Sequence, residues 1–325
     1  MITFDQILTK NEKLLSVIGV AKKIAPSDIA LLITGENGTG KNLLATAIHY
    51  SSARKSGPFV SVNCSAIPDS LLESELFGHD KGAFTGAYAN RKGKFEMAHK
   101  GTLFLDEIGD MHLEAQAKIL QALETKQFIR VGGQEVVSVD VRIITATNQN
   151  LIAKVENNQF RMDLYYRIRE MSLQIPPLRE RREDIPLLID AFMKQFTKDF
   201  GKKINGISNV ALNFLVNYEW RGNIRELRNV IRTAVALCEK DMIWIEDIPI
   251  KMELGNEPAS GGNGMSLESF SLKDMEKAHI VRTLQHCRWN KSKAADLLEV
   301  SRPRLDRKIQ EYNLKKPDKA KKEAK

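Results

Sequence analysis

The sequence predicts an α/β protein, a mostly parallel sheet clad in helices, followed by a small all-α module. Three observations predict it. Apolar, β-prone runs at 29–34, 59–62, 102–105, 141–146 and 171–175 alternate with helical stretches, the pattern of strand–helix–strand units. The first of these runs leads straight into a glycine-rich turn and then a helix, with Leu44, Ala47 and Ile48 at helical spacing. From 266 to 314 the apolar periodicity is helical throughout.

The turn is Gly35-Glu36-Asn37-Gly38-Thr39-Gly40-Lys41-Asn42. Strand, glycine-rich turn and helix start form the context of a phosphate-binding P-loop. Its glycines permit positive φ and turn backbone N–H groups toward phosphate oxygens, while the helix N-terminus adds partial positive charge. Lys41 supplies a full charge near the β and γ phosphates of a nucleotide such as ATP. Asn42 stands where a Mg²⁺-binding Ser or Thr is usual, so more of the metal's hold falls on an acid elsewhere. That acid is expected in Gly101-Thr102-Leu103-Phe104-Leu105-Asp106-Glu107, an apolar strand ending in two carboxylates. Asp106 would hold Mg²⁺ and Glu107 would polarise the water that attacks the γ-phosphate. A third strand ends at Thr145-Ala146-Thr147-Asn148, where Asn148 is a candidate to orient water or sense the γ-phosphate.

Composition bounds the rest. The chain has 325 residues, 42% apolar and 28% charged, the profile of a soluble globular protein of two or three domains. It has no run of eighteen apolar residues and no signal-peptide pattern at its start, so a cytoplasmic protein with no membrane partner is expected. Cys64, Cys238 and Cys287 are too dispersed for a metal cluster or a disulfide framework and are expected to be buried thiols. Net charge is +8, part of it in a tail, 315–325, with six lysines against two acids, expected to be disordered. Between 255 and 264, four glycines and a proline without any large apolar side chain predict a flexible linker.

The motifs of the larger part resemble those of the AAA+ ATPases, and more narrowly of the bacterial sigma-54-dependent enhancer-binding activators. The narrower likeness rests on Glu75-Leu76-Phe77-Gly78-His79-Asp80-Lys81-Gly82-Ala83-Phe84-Thr85-Gly86-Ala87. In that family the hexapeptide matching Gly82, Ala83, Phe84, Thr85, Gly86 and Ala87 tips a loop that contacts the sigma factor. Glycines at both ends suit a loop that folds and unfolds around Phe84 and Thr85. The resemblance further implies that Arg161 and Arg167, in Phe160-Arg161-Met162-Asp163-Leu164-Tyr165-Tyr166-Arg167, are arginine fingers reaching a neighbouring subunit's γ-phosphate. It implies that Asn63 holds Glu107 away from water until the nucleotide state is right. It also implies that Arg225, in Trp220-Arg221-Gly222-Asn223-Ile224-Arg225, is a second nucleotide sensor on a helical lid. Arg221 replaces a usual proline, and Asn42 a usual glutamate.

The last module has Ile280, Leu284 and Cys287 on one helical face, a second helix from Lys291, a break at Glu299-Val300-Ser301, and a final helix with Leu305, Ile309 and Tyr312 on one side. Two short helices with a basic second one suggest helix-turn-helix, with Arg302, Arg304, Arg307 and Lys308 reading bases or gripping phosphates. The module is similar to the Fis-type domain of the same family, with Glu299 where glycine is common. The expected organisation is an AAA+ α/β subdomain (1–175), helical lid (176–254), linker (255–265), helix-turn-helix domain (266–314) and basic tail (315–325), with no N-terminal regulatory domain ahead of them. The resemblance implies an ATP- and Mg²⁺-dependent activator that binds double-stranded enhancer DNA, assembles with itself into a hexamer or heptamer ring, pairs its DNA-binding modules, and remodels the sigma-54 RNA polymerase holoenzyme. Two rivals remain: a DNA-binding repressor with a vestigial AAA+ core, and a general AAA+ protein-remodelling enzyme.

Overall fold

In the computed structural model the described residues are 3–84, 86–250, and those of 276–314 other than 278, 282, 285, 286, 288, 299 and 313. The sequence expectations for Thr85, Glu299, the linker and the basic tail therefore fall outside them. The chain separates into two compact units, 1–252 and 253–325.

The larger unit is built on a five-stranded parallel sheet. Its strands are β1 (Leu31–Thr34), β2 (Phe59–Asn63), β3 (Thr102–Asp106), β4 (Arg142–Thr147) and β5 (Met171–Gln174), in the spatial order β2-β3-β4-β1-β5. Each strand falls where an apolar run predicted one. The central strands β3 and β4 are buried along their whole length because both faces of the sheet are covered, whereas the edge strands β2 and β5 are partly exposed. Leu31 and Ile33 of β1, Phe104 of β3, and Ile144 and Ala146 of β4 pack on one side, with α1 (Glu12–Ile24) and α2 (Lys41–Tyr50). Leu32, Leu103, Leu105 and Ile143 point to the other side, against α3 (Asp69–Phe77), α4 (Leu113–Thr125) and α5 (Met162–Ile168). Arg142, buried at the start of β4, donates to the carbonyls of Ile24 and Ala25 and so satisfies the end of α1, where a cation is favoured.

A helical segment completes this unit: α6 (Asp184–Phe200), α7 (Asn209–Asn217) and α8 (Asn223–Leu237). Their shared core holds Trp220, whose indole N–H donates to Leu215 O at 2.7 Å, so the large ring is buried without an orphaned donor. The smaller unit packs Ile280 and Leu284 against α9 (Lys291–Leu297) and α10 (Arg302–Glu311) through Ala294, Ala295, Leu305 and Ile309. Cys64 and Cys238 are buried as expected, but Cys287 is only half-buried, because it lies at the edge of this small core.

Candidate nucleotide site and partner loop

The site lies beyond the C-terminal ends of the strands, where ligands of open parallel sheets bind. The P-loop leaves β1, the two acids end β3, and β4 between them ends at Thr147 and Asn148. Lys41 opens α2, is 5% exposed, and donates to Gly35 O at 2.9 Å. Its Nζ also lies 3.1 Å from Glu107 Oε1. Glu107 sits in the left-handed region at φ 54°, and its other oxygen accepts the Asn148 backbone N–H at 3.1 Å. Three motifs far apart in sequence therefore converge on one carboxylate.

Asp106 is buried, and its Oδ1 has no hydrogen-bond partner among the described residues. Burial and then the neighbouring Glu107 charge raise its pKa, against a hydrogen bond from Asn42 and the Lys41 charge. A bare anionic oxygen beside a phosphate cradle is a fitting donor for a hard divalent cation such as Mg²⁺. Asn42 thus lies near enough to lower the Asp106 pKa.

Asn63 pairs in register with Asp106, but its Oδ1 is taken by the Ser65 N–H (3.1 Å) and hydroxyl (2.8 Å). The resemblance implied that Asn63 holds Glu107; here Glu107 is held by Lys41 and Asn148 instead, and the short Asn63 side chain caps the turn that follows its own strand.

The helical segment docks on the P-loop through residues the sequence did not single out. Ile224 N–H donates to Gly38 O at 3.0 Å, and a Cβ on Gly38 would lie 2.3 Å from Gly222 O, so only glycine fits. Arg225 is thereby brought beside Gly38, exposed and without a hydrogen bond or ion pair among the described residues. Arg179 grips Glu36 with two hydrogen bonds of 2.8 and 2.6 Å, and buried Arg181 donates to Thr39 O at 2.8 Å. Asn223, fully buried at φ 54°, accepts the Leu178 N–H at 2.7 Å and donates to Asn37 O at 3.0 Å and Glu36 Oε2 at 3.1 Å. The available signal was the Gly222-Asn223 pair, since Asn tolerates the left-handed region best after Gly. Asn223→Ala should destabilise the protein by about 2–4 kcal/mol, because it strands two buried partners and adds backbone strain. Thermal unfolding of the variant measures this, and a loss below about 1 kcal/mol would remove Asn223 from the strap.

Arg161 precedes α5 and makes a two-pronged ion pair with Asp163. Arg167 pairs with Glu170 at 3.0 Å and donates to Leu123 O at 3.1 Å. It shares a cavity with Ala30, Asp140 and Val141, at the N-terminal ends of β1 and β4. The P-loop leaves the opposite end of β1, a strand length of roughly 13 Å away. Within its own subunit Arg167 therefore faces away from the site.

The loop bearing Gly82 to Ala87 is closed by Gly82 N–H to Ala87 O (2.9 Å) and Ala87 N–H to Phe84 O (3.0 Å). It rests on a hairpin formed by Gln127–Ile129 and Val136–Ser138, which the sequence did not predict. Arg130 in that hairpin forks onto Glu96 and reaches Asp80. Phe84 is 39% exposed, a large apolar ring offered at the surface.

In the smaller unit Arg302, Arg304 and Arg307 are exposed on α10, with no side-chain hydrogen bond or ion pair among the described residues. Lys308 differs from expectation. Its ammonium is held by Glu276 at 2.9 Å and Glu311 at 3.2 Å, and these carboxylates raise its pKa. Leu305 and Ile309 turn that flank of α10 inward, which brings Lys308 to Glu276 and leaves the three arginines as the free cations of the helix.

These features define a P-loop AAA+ protein carrying a helix-turn-helix module. Family comparison agrees segment by segment: residues 7–174 match the Sigma-54 interaction domain, 179–263 the AAA+ ATPase lid domain, and 271–312 the bacterial regulatory protein Fis family. The chain belongs to the sigma-54-dependent activator family. It is 45% identical over 319 residues to the regulatory protein AtoC of Escherichia coli (strain K12), covering 97% of this chain and 69% of that protein. It is 39% identical to the Nif-specific regulatory protein of Herbaspirillum seropedicae, covering 93% of this chain and 62% of that one. The chain thus spans about two thirds of the length of such relatives. Crystalline NtrX from Brucella abortus in complex with ATP superposes with a TM-score of 0.70 at 33% identity, over 95% of this chain and 69% of that one. Among the described residues no helix is long and apolar enough to cross a membrane.

Proposed function

We propose that the protein is an ATP-hydrolysing transcription activator that binds enhancer DNA, assembles into a ring and remodels the sigma-54 RNA polymerase holoenzyme to open the promoter. The observation that carries this is the convergence of Lys41 and the Asn148 N–H on the Glu107 carboxylate, beside an Asp106 oxygen without a hydrogen-bond partner among the described residues. Gly35, Glu36, Asn37, Gly38, Thr39, Gly40 and Lys41 cradle the phosphates, and Arg225 and Asn148 sense the nucleotide. Asp106 would hold Mg²⁺, which offsets the charge of the phosphates when bound. Glu107, freed from Lys41 by an incoming γ-phosphate, takes the proton of the attacking water. Asn63 lies next to this pair and couples to it as the state changes. Arg161 and Arg167 complete a neighbour's site, so hydrolysis needs assembly. The division of labour follows 1–175 and 176–254 for the motor and 266–314 for DNA, with Arg302, Arg304 and Arg307 as phosphate or base contacts and Lys308 as a lesser one. The protein works in the cytoplasm.

The test uses the loop, where motor and output separate. Thr85→Ala removes a hydroxyl and a methyl from the tip and leaves Lys41, Asp106 and Glu107 intact. ATP hydrolysis and DNA binding should persist, while sigma-54 binding and open-complex formation on a sigma-54 promoter should disappear. Undiminished sigma-54 binding by this variant would defeat the reading at its most specific point.

A further inference from the structure

We propose that His79 is a positioning residue for the sigma-54-contacting loop: it parks Phe84 against the body, and a docking partner must take Phe84 away from it. The proposal deepens the reading of residues 82–87 as the contact loop and rests on it for the identity of the partner.

His79 is the fixed half of the pair. It is paired with Arg91 on one side and bridged to Val131 on the other. Val131 N–H donates to Gly78 O at 3.0 Å and Asp80 N–H to Val131 O at 3.1 Å, so the backbone is pinned immediately before and after it. The side chain is 9% exposed, and its buried Nδ1 has no hydrogen-bond partner among the described residues. What the ring does touch is Phe84, edge to face, with centroids 4.9 Å apart at 65°.

The loop is the movable half. Gly82 and Gly86 bracket Phe84 at φ +87° and +112°, and a Cβ on either would meet nothing within 4 Å. Besides Phe84, the loop approaches the neighbouring hairpin at Ala83, close enough that a Cβ on Gly132 would fall 2.6 Å from the Ala83 Cβ. Tyr88, just past the hexapeptide, is 87% exposed against 39% for Phe84, so Phe84 is the more sheltered of the two rings. A partner that engages Phe84 binds only the released form, and its apparent affinity is reduced by the fraction of loops so released. An edge-to-face aromatic pair is worth a factor of about two to ten in that fraction.

Two measurements on the full chain test this. The first needs no sigma factor: chymotrypsin cleavage after Phe84 is followed by mass spectrometry and normalised to cleavage after Tyr88. His79→Ala should raise that ratio about two- to tenfold, with cleavage elsewhere unchanged, and His79→Phe should return it to the parent value. An unchanged ratio in His79→Ala, or failure of His79→Phe to restore it, overturns the parking role. The second measures nucleotide-free sigma-54 affinity, expected to rise about two- to tenfold in His79→Ala and not in His79→Phe. Higher cleavage without higher affinity overturns competition between His79 and the partner. If no form of the protein, parent included, binds sigma-54, the contact-loop reading fails, while the cleavage ratio still decides whether His79 parks Phe84.

Discussion

Glu107→Gln protein is expected to bind ATP with near-parent affinity and to hydrolyse it about 10²–10⁴ times more slowly. The amide keeps the size of the side chain and an oxygen to accept the Asn148 N–H, 3.1 Å from the carboxylate in the parent. It cannot take a proton, and it removes the negative partner that lies 3.1 Å from Lys41 Nζ. A lysine relieved of that partner has no reason to bind phosphate less well, so affinity should hold or improve. Fluorescent-nucleotide titration and steady-state phosphate release separate the two quantities. Near-parent turnover would mean that another group activates the water, and a loss of binding equal to the loss of turnover would mean that Glu107 serves the fold of the site.

Arg161→Ala and Arg167→Ala are each expected to lower hydrolysis steeply, by about 10³-fold for a residue that acts as an arginine finger. Neither guanidinium is spent on its own subunit's P-loop. Arg161 is engaged by Asp163 and Arg167 by Glu170, both partly exposed pairs of a kind that exchange readily. Mixing Arg167→Ala protein with Lys41→Ala protein, which binds ATP poorly, should restore hydrolysis at interfaces that unite an intact pocket with an intact arginine. Mixed assemblies that form and yet show no recovery at any ratio would place Arg167 outside the chemistry.

Much of the sheet was legible because the central strands, buried on both faces, are rich in apolar and β-branched residues, and all five predicted runs became strands. The P-loop and the acidic pair were legible for a related reason: each occupies a few consecutive residues at a strand end. What escaped was pairing across distance. The Arg179–Glu36 fork, Arg181 on Thr39 and the Asn223 bonds join residues more than a hundred positions apart, and no local periodicity encodes them. The hairpin under the loop has strands of only three residues each, too short for an alternation that separates them from a turn. Lys308 was grouped with the free arginines by composition alone; its pairing with Glu276 depends on how two helices meet. Asn63 kept its place beside Asp106, and only the state of its hydrogen bonds differed from the resemblance.

Arg167 and the P-loop occupy opposite ends of β1, so a subunit whose Arg167 served a neighbour's P-loop would be a polar block, with a socket at one end and a plug at the other. Copies of such a block would stack head to tail, and a heterologous contact of that kind either closes on itself or continues indefinitely. In an open row the first socket has no plug and the last plug has no socket, so one site per row stays idle whatever its length. Closure removes both idle ends at once. Specific activity should therefore climb steeply over the first subunits joined, level off as the row lengthens, and gain one last completed site at closure.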